Sequence, residues 1–287
     1  MPTFKITIAY DGTSFVGWQR QARGTSIQGL IEEALRPLEG GDVTVHGAGR
    51  TDAGVHALGQ VASFTLARAI DAGAVMRAAN SRLPHAIRIV AAEEVEPAFH
   101  ARYGARSKTY WYRILNGALL DPFHRAYAWH IAEALDLAGM QSAARALEGR
   151  HDFAAFQASG GAAKTSEREV FSIRILTAEL CTAEDAEATP ILRAKSLRGV
   201  RVPSGREIGC SDGELITIEI IGSGFLRHMV RIIVGSLVEI GRRRHAAAWL
   251  PEVLASRDRT RAGPTAPPHG LFLASVAYGG SVLADEP

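Results

Sequence analysis

Cysteine is nearly absent from this chain of 287 residues. Cys181 and Cys210 stand far apart, and neither belongs to a Cys-x-x-Cys pair. A disulfide framework or thiolate metal site is not expected, and a reducing cytoplasm fits. No apolar run approaches the ~18 residues of a membrane span. Met1 to Lys5 lead directly into a strand pattern and do not read as a secretory leader. Lysine is scarce as well: of 32 basic residues only Lys5, Lys108, Lys164 and Lys195 are lysines. A GC-rich genome accounts for most of that arginine excess. Net charge is only +2, so the total says little about partners.

What the chain does have is an ordinary globular composition, 47% hydrophobic and 22% charged, with length enough for two domains. Its most distinctive stretch is Gly47-Ala48-Gly49-Arg50-Thr51-Asp52-Ala53-Gly54-Val55-His56-Ala57. Apolar or β-branched residues flank it on both sides, which reads as strand, tight loop, strand. Glycines let such a loop adopt angles closed to other residues, and a single carboxylate, Asp52, sits in its middle. One reading is a side chain held in a fixed pose at a sheet edge. The plainer one is a Gly-rich hairpin with Asp52 as an Asx-turn residue. A dinucleotide fingerprint is excluded because its third glycine would fall at Asp52, and a phosphate loop because the stretch has no lysine.

Basic residues cluster in two places. Phe99 to Arg113 carries Arg102, Arg106, Lys108 and Arg113 without an acid. Gly222 to Arg261 is also strongly basic, with Arg227 and Arg231 near its start and Arg242-Arg243-Arg244 at its centre. Such clusters on a balanced protein point to a polyanion-facing surface.

Periodicity gives strand 4–10, helix 26–38, strand 43–47, strand 61–66, helix 71–83 and strand 87–95. The second half reads strand 107–115, helix 136–147, strands 170–180 and 214–221, helices 225–240 and 246–255, and strand 271–278. The order β-α-β-β-α-β therefore occurs twice. An α+β fold follows: two ferredoxin-like units with joined, mainly antiparallel sheets, helices on one face and a cleft between them. We place the first unit at residues 1–104, with the Asp52 loop, and the second at 105–287. Thr182 to Asp212 fits neither unit and reads as a long exposed insertion.

Six stretches in register resemble the TruA family of tRNA pseudouridine synthases. They are Gly49 to Ala57; Tyr10 to Gln21; Lys108-Thr109-Tyr110-Trp111-Tyr112-Arg113; His151 to Phe156 with the later Arg168; Phe225 to Arg231; and Ala266 to Leu271. The resemblance implies isomerisation of uridine to pseudouridine in the anticodon stem-loop of tRNA, at positions 38 to 40. It implies no nucleotide cofactor and no metal, and a homodimer gripping one tRNA. Asp52 then takes the nucleophile's role at the sugar, a task that suits a carboxylate. A neighbouring guanidinium favours the ionised form of such a group, and Arg168 is the expected partner. Tyr110 would stack on a uracil swung out of its helix, its hydroxyl within reach of the C5 proton. Trp111, facing the other way, is expected to pack. Arg50 would fill the gap in the stack or hold a displaced phosphate, and also brace the loop. His56 reads as a loop brace. Arg20, Arg106, Arg227, His228 and Arg231 are weaker candidates for RNA contact. The competing reading is a non-catalytic RNA-binding or chaperone module, and a third is a synthase of the same family directed at another uridine.

Overall fold

The computed structural model describes residues 1–161, 163–179 and 213–279. The Thr182 to Asp212 insertion lies outside the described residues. Among those described, no helix is long and apolar enough to cross a membrane.

Strand β1 (Thr3–Tyr10) alternates as its sequence requires: Phe4, Ile6, Ile8 and Tyr10 are buried, while Lys5, Thr7 and Ala9 are half-covered. Helix α1 (Ile27–Glu39) starts at Ser26, whose hydroxyl accepts from the Gly29 N–H, and ends at Gly40 in a left-handed conformation. It lays Ile27, Ile31 and Leu35 against the buried face of the sheet. Strands β2 (His46–Gly47) and β3 (His56–Thr65), helix α2 (Ala72–Asn80) and strand β4 (Ile87–Val95) complete the first unit. The second comprises β5 (Ser107–Gly117), β6 (Trp129–Ile131), α3 (Leu137–Ala144), β7 (Gly149–Asp152), β8 (Glu167–Glu179), β9 (Gly213–Gly222), α4 (Met229–Gly241), α5 (Trp249–Ser256) and β10 (Leu271–Ala277).

The sheet runs β4-β1-β3-β10-β5-β9-β8-β7, with β2 beside β3 and β6 beside β5. Two copies of the ferredoxin-like order lie within it. In the first unit the order is β4, β1, β3, β2. In the second, β10, β5, β9 and β8 take the matching places. The fold is thus the α+β pair that the periodicity indicates, with joined and mainly antiparallel sheets. The joint is a short parallel pairing in which Phe272 and Leu273 of β10 lie beside His56 and Ala57 of β3. Ile216, Ile218 and Ile220 of β9 pack with Ile232, Ile233 and Leu237 of α4 in a core that runs through both units.

The helices expected over 71–83, 136–147 and 246–255 are observed as Ala72–Asn80, Leu137–Ala144 and Trp249–Ser256, and three other elements differ for a local reason. Residues 43–45 do not extend β2, because α1 takes their backbone: Val45 N–H donates to Glu32 and its carbonyl accepts from Gln28. Strand β3 begins at His56 rather than Val61, because β10 and β1 supply partners for its first residues. Helix α4 begins at Met229 rather than Phe225, because His228 has φ 60°, which a right-handed helix cannot include. Two short strands, β6 and β7, have too little sequence to show a period.

Candidate active site

Asp52 lies on the loop between β2 and β3, immediately before the seam where the two sheets join. The Tyr10 to Gln21 motif wraps this loop. Trp18 N–H donates to the Thr51 carbonyl at 3.1 Å. The Tyr10 hydroxyl and Thr51 Oγ1 are 2.8 Å apart in a buried pair. Gly17, at φ 103°, passes so close that a Cβ there would lie 2.5 Å from the Thr51 carbonyl oxygen. Gly47 is required for the same kind of reason: a Cβ would meet the Trp18 ring at 2.5 Å. Within the loop, Val55 N–H closes onto the Asp52 carbonyl at 3.2 Å, and Gln60 donates to the Gly49 carbonyl at 3.0 Å. The loop is therefore packed and hydrogen-bonded from both sides, well beyond what an Asx turn needs.

His56 ties the loop to the second unit. Its Nδ1 accepts the Gly12 N–H at 3.1 Å, so Nε2 carries the proton and donates toward the carbonyls of Ala126 (3.1 Å) and His269 (3.2 Å). Asp11 Oδ1 is also 3.2 Å from Nδ1, a geometry that would suit a charged ring. Burial holds His56 below its ordinary pKa, only partly offset by Asp11, so the neutral ring bonded to Gly12 is the species present at pH 7. The ring stacks on Phe272 with centroids 4.7 Å apart. These contacts are those of a brace.

The second unit supplies the groups that face Asp52. Arg231 Nη1 lies 3.3 Å from Asp52 Oδ2, and His228 Nε2 lies 3.5 Å from the same oxygen. Arg231 Nε also donates to the Ala266 carbonyl at 2.7 Å, which fixes the guanidinium plane. His228 reaches the site because its left-handed conformation turns the chain at the start of α4. Burial holds its pKa below the ordinary value, with Asp52 opposing and Arg231, Arg227 and Arg259 reinforcing that shift. The Asp52 side chain remains one-third exposed. Both neighbours lie on Oδ2, and among the described residues no side chain bonds Oδ1.

Tyr110 lies on β5 between Leu273 of β10 and Ile220 of β9. It is buried, with its ring edge-on to Phe225 at 5.1 Å. Burial, with Tyr10 and the Asp52 charge adding to it, pushes the phenol above its ordinary pKa. At neutral pH its hydroxyl is therefore protonated and can donate a hydrogen bond. Trp111 faces away, and its Nε1 donates to Glu219 at 2.9 Å.

Arg168 does not meet Asp52. Its guanidinium donates to the Thr165 and Glu167 carbonyls, and its shaft lies near Gly224. The guanidinium beside Asp52 belongs instead to Arg231. Sequence reasoning placed Arg231 only among RNA contacts. No local pattern gives its position, since His228, at φ 60°, lies outside the α4 helix and the i, i+3 rule does not apply to the pair. Arg50 is exposed beside the loop, without an ion pair among the described residues. Arg20 pairs with Glu32 of α1 at 3.2 Å. Arg227 is exposed and donates to the Ser159 carbonyl at 2.9 Å, and Arg106 is exposed.

A family model described as tRNA pseudouridine synthase matches residues 6–104 and 143–279. Proteins named tRNA pseudouridine synthase A are similar to nearly the whole chain. One from Pelobacter propionicus is 42% identical over 278 residues, covering 97% of this chain and 100% of that protein. One from Moorella thermoacetica is 42% identical over 280 residues, with the same two coverages. A third, from Myxococcus xanthus, is 41% identical over 278 residues, covering 97% and 92%. With a glycine-bound carboxylate at the seam of two ferredoxin-like sheets, and this likeness along nearly its full length, the chain belongs to the tRNA pseudouridine synthase family of isomerases.

Proposed function

We propose that the protein converts uridine to pseudouridine in the anticodon stem-loop of tRNA, at positions 38 to 40, with Asp52 as nucleophile. The observation that carries this reading is the one-third exposed Asp52 carboxylate, held through Oδ2 by Arg231 and His228, with no side chain among the described residues bonding Oδ1. A carboxylate positioned this way has one oxygen fixed and one free to meet an electron-poor carbon.

In this mechanism the target nucleotide swings out of its stack into the seam. The N1–C1′ bond breaks as Oδ1 bonds to C1′. The freed uracil turns, its C5 bonds to C1′, and the bond to Oδ1 is released. C5 loses its proton and N1 gains one, so the net change is an isomerisation and needs no redox partner. Tyr110, protonated at neutral pH, positions the turned base through its ring and donates to a uracil carbonyl. Arg50 occupies the place of the extruded base or holds its phosphate. Arg168, on the rim, contacts the backbone, as do Arg20, Arg106 and Arg227. Two copies of the chain grip one tRNA in the cytoplasm.

The test is incubation of Asp52→Asn with unmodified tRNA, followed by a binding measurement and chemical detection of pseudouridine. The expected result is unchanged binding with no product. Turnover by Asp52→Asn within tenfold of wild type removes Asp52 from the mechanism. Wild-type binding without any product would favour a binding module instead.

A further inference from the structure

Beside the loop, on the same edge of the first unit, three aromatic rings form a ladder that the reaction does not use. His46, on β2, stacks on His100 with centroids 5.0 Å apart. His100 packs in turn on Tyr103 at 4.4 Å. The Arg102 guanidinium lies over the Tyr103 ring at 5.8 Å. His100 is fixed from below, since its Nδ1 accepts the Arg102 N–H at 3.1 Å. Burial, with His46 and Arg102 adding to it, keeps His100 below its ordinary pKa.

The ladder ends in solvent. Tyr103 is 77% exposed, an unusual exposure for a large ring held in a defined pose. Arg102 lies over it, and among the described residues Arg102 has no ion pair with an acid. Lys108 packs on the Asp52 loop, where a Cβ on Gly49 would lie 3.4 Å from its Cε. The charged neighbours acting on Lys108 are Arg102 and Arg168, and no carboxylate is among them. Arg102 and Arg106 are exposed. His46 stands only three residues before Gly49, a span of about 10 Å of extended chain.

An exposed aromatic face with a guanidinium over it and an ammonium next to that guanidinium, neither ion-paired among the described residues, fits one class of ligand well. An unpaired nucleotide presents a base that stacks and a phosphate that pairs. We infer that the His46–His100–Tyr103 ladder is a second nucleotide subsite, where Tyr103 takes an unpaired base of the RNA and Arg102 with Lys108 takes its phosphate. The inference rests on the tRNA reading above. It adds that the protein holds a second unstacked nucleotide close to the one it isomerises, so the substrate must carry two bases free of pairing within a short span.

Filter binding of unmodified tRNA transcript to the full chain tests this. Tyr103→Ala is expected to weaken binding about tenfold, the usual cost of removing one stacked base, while Tyr103→Phe stays within twofold of wild type. Arg102→Gln is expected to lower the slope of log K against log salt by about one. Equal thermal midpoints of the exposed Tyr103 variants and wild type establish that the fold is kept. Tyr103→Ala binding within twofold of wild type overturns the subsite. So does a change in sedimentation of Tyr103→Ala, which would make the ring a protein contact. Wild-type protein serves as the separate control: failure to form pseudouridine counts against the proposed function, whereas normal turnover with unaltered Tyr103→Ala binding counts against the subsite alone.

Discussion

Gly17→Ala perturbs the Asp52 loop without touching a group that reacts. Two costs arise. The backbone at Gly17 has φ 103°, where an L side chain is strained by roughly 1–2 kcal/mol. The new Cβ would also lie 2.5 Å from the Thr51 carbonyl oxygen. Carbon and oxygen approach no closer than about 3.3 Å even in favourable contacts, so the two chains must part by about 0.8 Å. Thr51 precedes Asp52, and its carbonyl holds the Trp18 N–H. The displacement therefore passes directly to the carboxylate and loosens its contacts with Arg231 and His228. A misplacement near 1 Å costs on the order of 10²-fold in rate. Overpacking adds about 1–3 kcal/mol to the stability loss. The assay is single-turnover release of tritium from C5-labelled uridine in tRNA, run where circular dichroism finds the variant folded. Gly41→Ala is the control, since a Cβ there meets no atom within 4 Å. A folded Gly17→Ala protein with a rate within threefold of wild type would refute the reasoning.

Two further outcomes follow from the same geometry. Arg231→Lys keeps a positive charge but cannot hold the Ala266 carbonyl and Asp52 Oδ2 together, so single-turnover rate should fall about 10²-fold with tRNA binding kept; a rate near wild type would show that charge alone suffices. His56, His228 and His269 each have a folded pKa lowered first by burial, so the unfolded chain binds protons that the folded chain does not. Their contribution is complete above about pH 6.5 and is lost as pH falls below that value, by at most about 1.4 kcal/mol per pH unit for each histidine. Chemical denaturation between pH 7.5 and 5.5 measures this slope, and His56→Asn should flatten it; an unchanged slope would mean that His56 is not neutral in the folded chain.

The sequence made the repeated strand-helix order legible because the core strands alternate cleanly. Phe4, Ile6 and Ile8 against Lys5 and Thr7 have one way to face a core. It also pointed to Asp52, since a lone acid among glycines is a local pattern. What it could not supply was contact between distant segments. Val43 to Val45 has strand propensity, yet Gln28 and Glu32 take its backbone groups. The guanidinium at Asp52 comes from 179 residues away. Arg168 and Arg231 are equivalent by type and by membership in a motif, and only the fold separates them. The left-handed turn at His228 is likewise invisible to periodicity, because it is set by the approach of α4 to the seam.

That approach explains why the site lies where it does. A short parallel pairing such as His56–Ala57 with Phe272–Leu273 is weak by itself, because it offers few hydrogen bonds. The seam is reinforced by side chains. His56 bonds Gly12 of the first unit and faces two carbonyls of the second, and Tyr127 donates to Asp11 at 2.8 Å across the same boundary. These clasps flank the Asp52 loop. Asp52 comes from the first unit, and Arg231, His228 and Tyr110 from the second, so joining the sheets is the same event as assembling the site. A carboxylate that acquires its guanidinium only when both units dock is paired only in the complete fold.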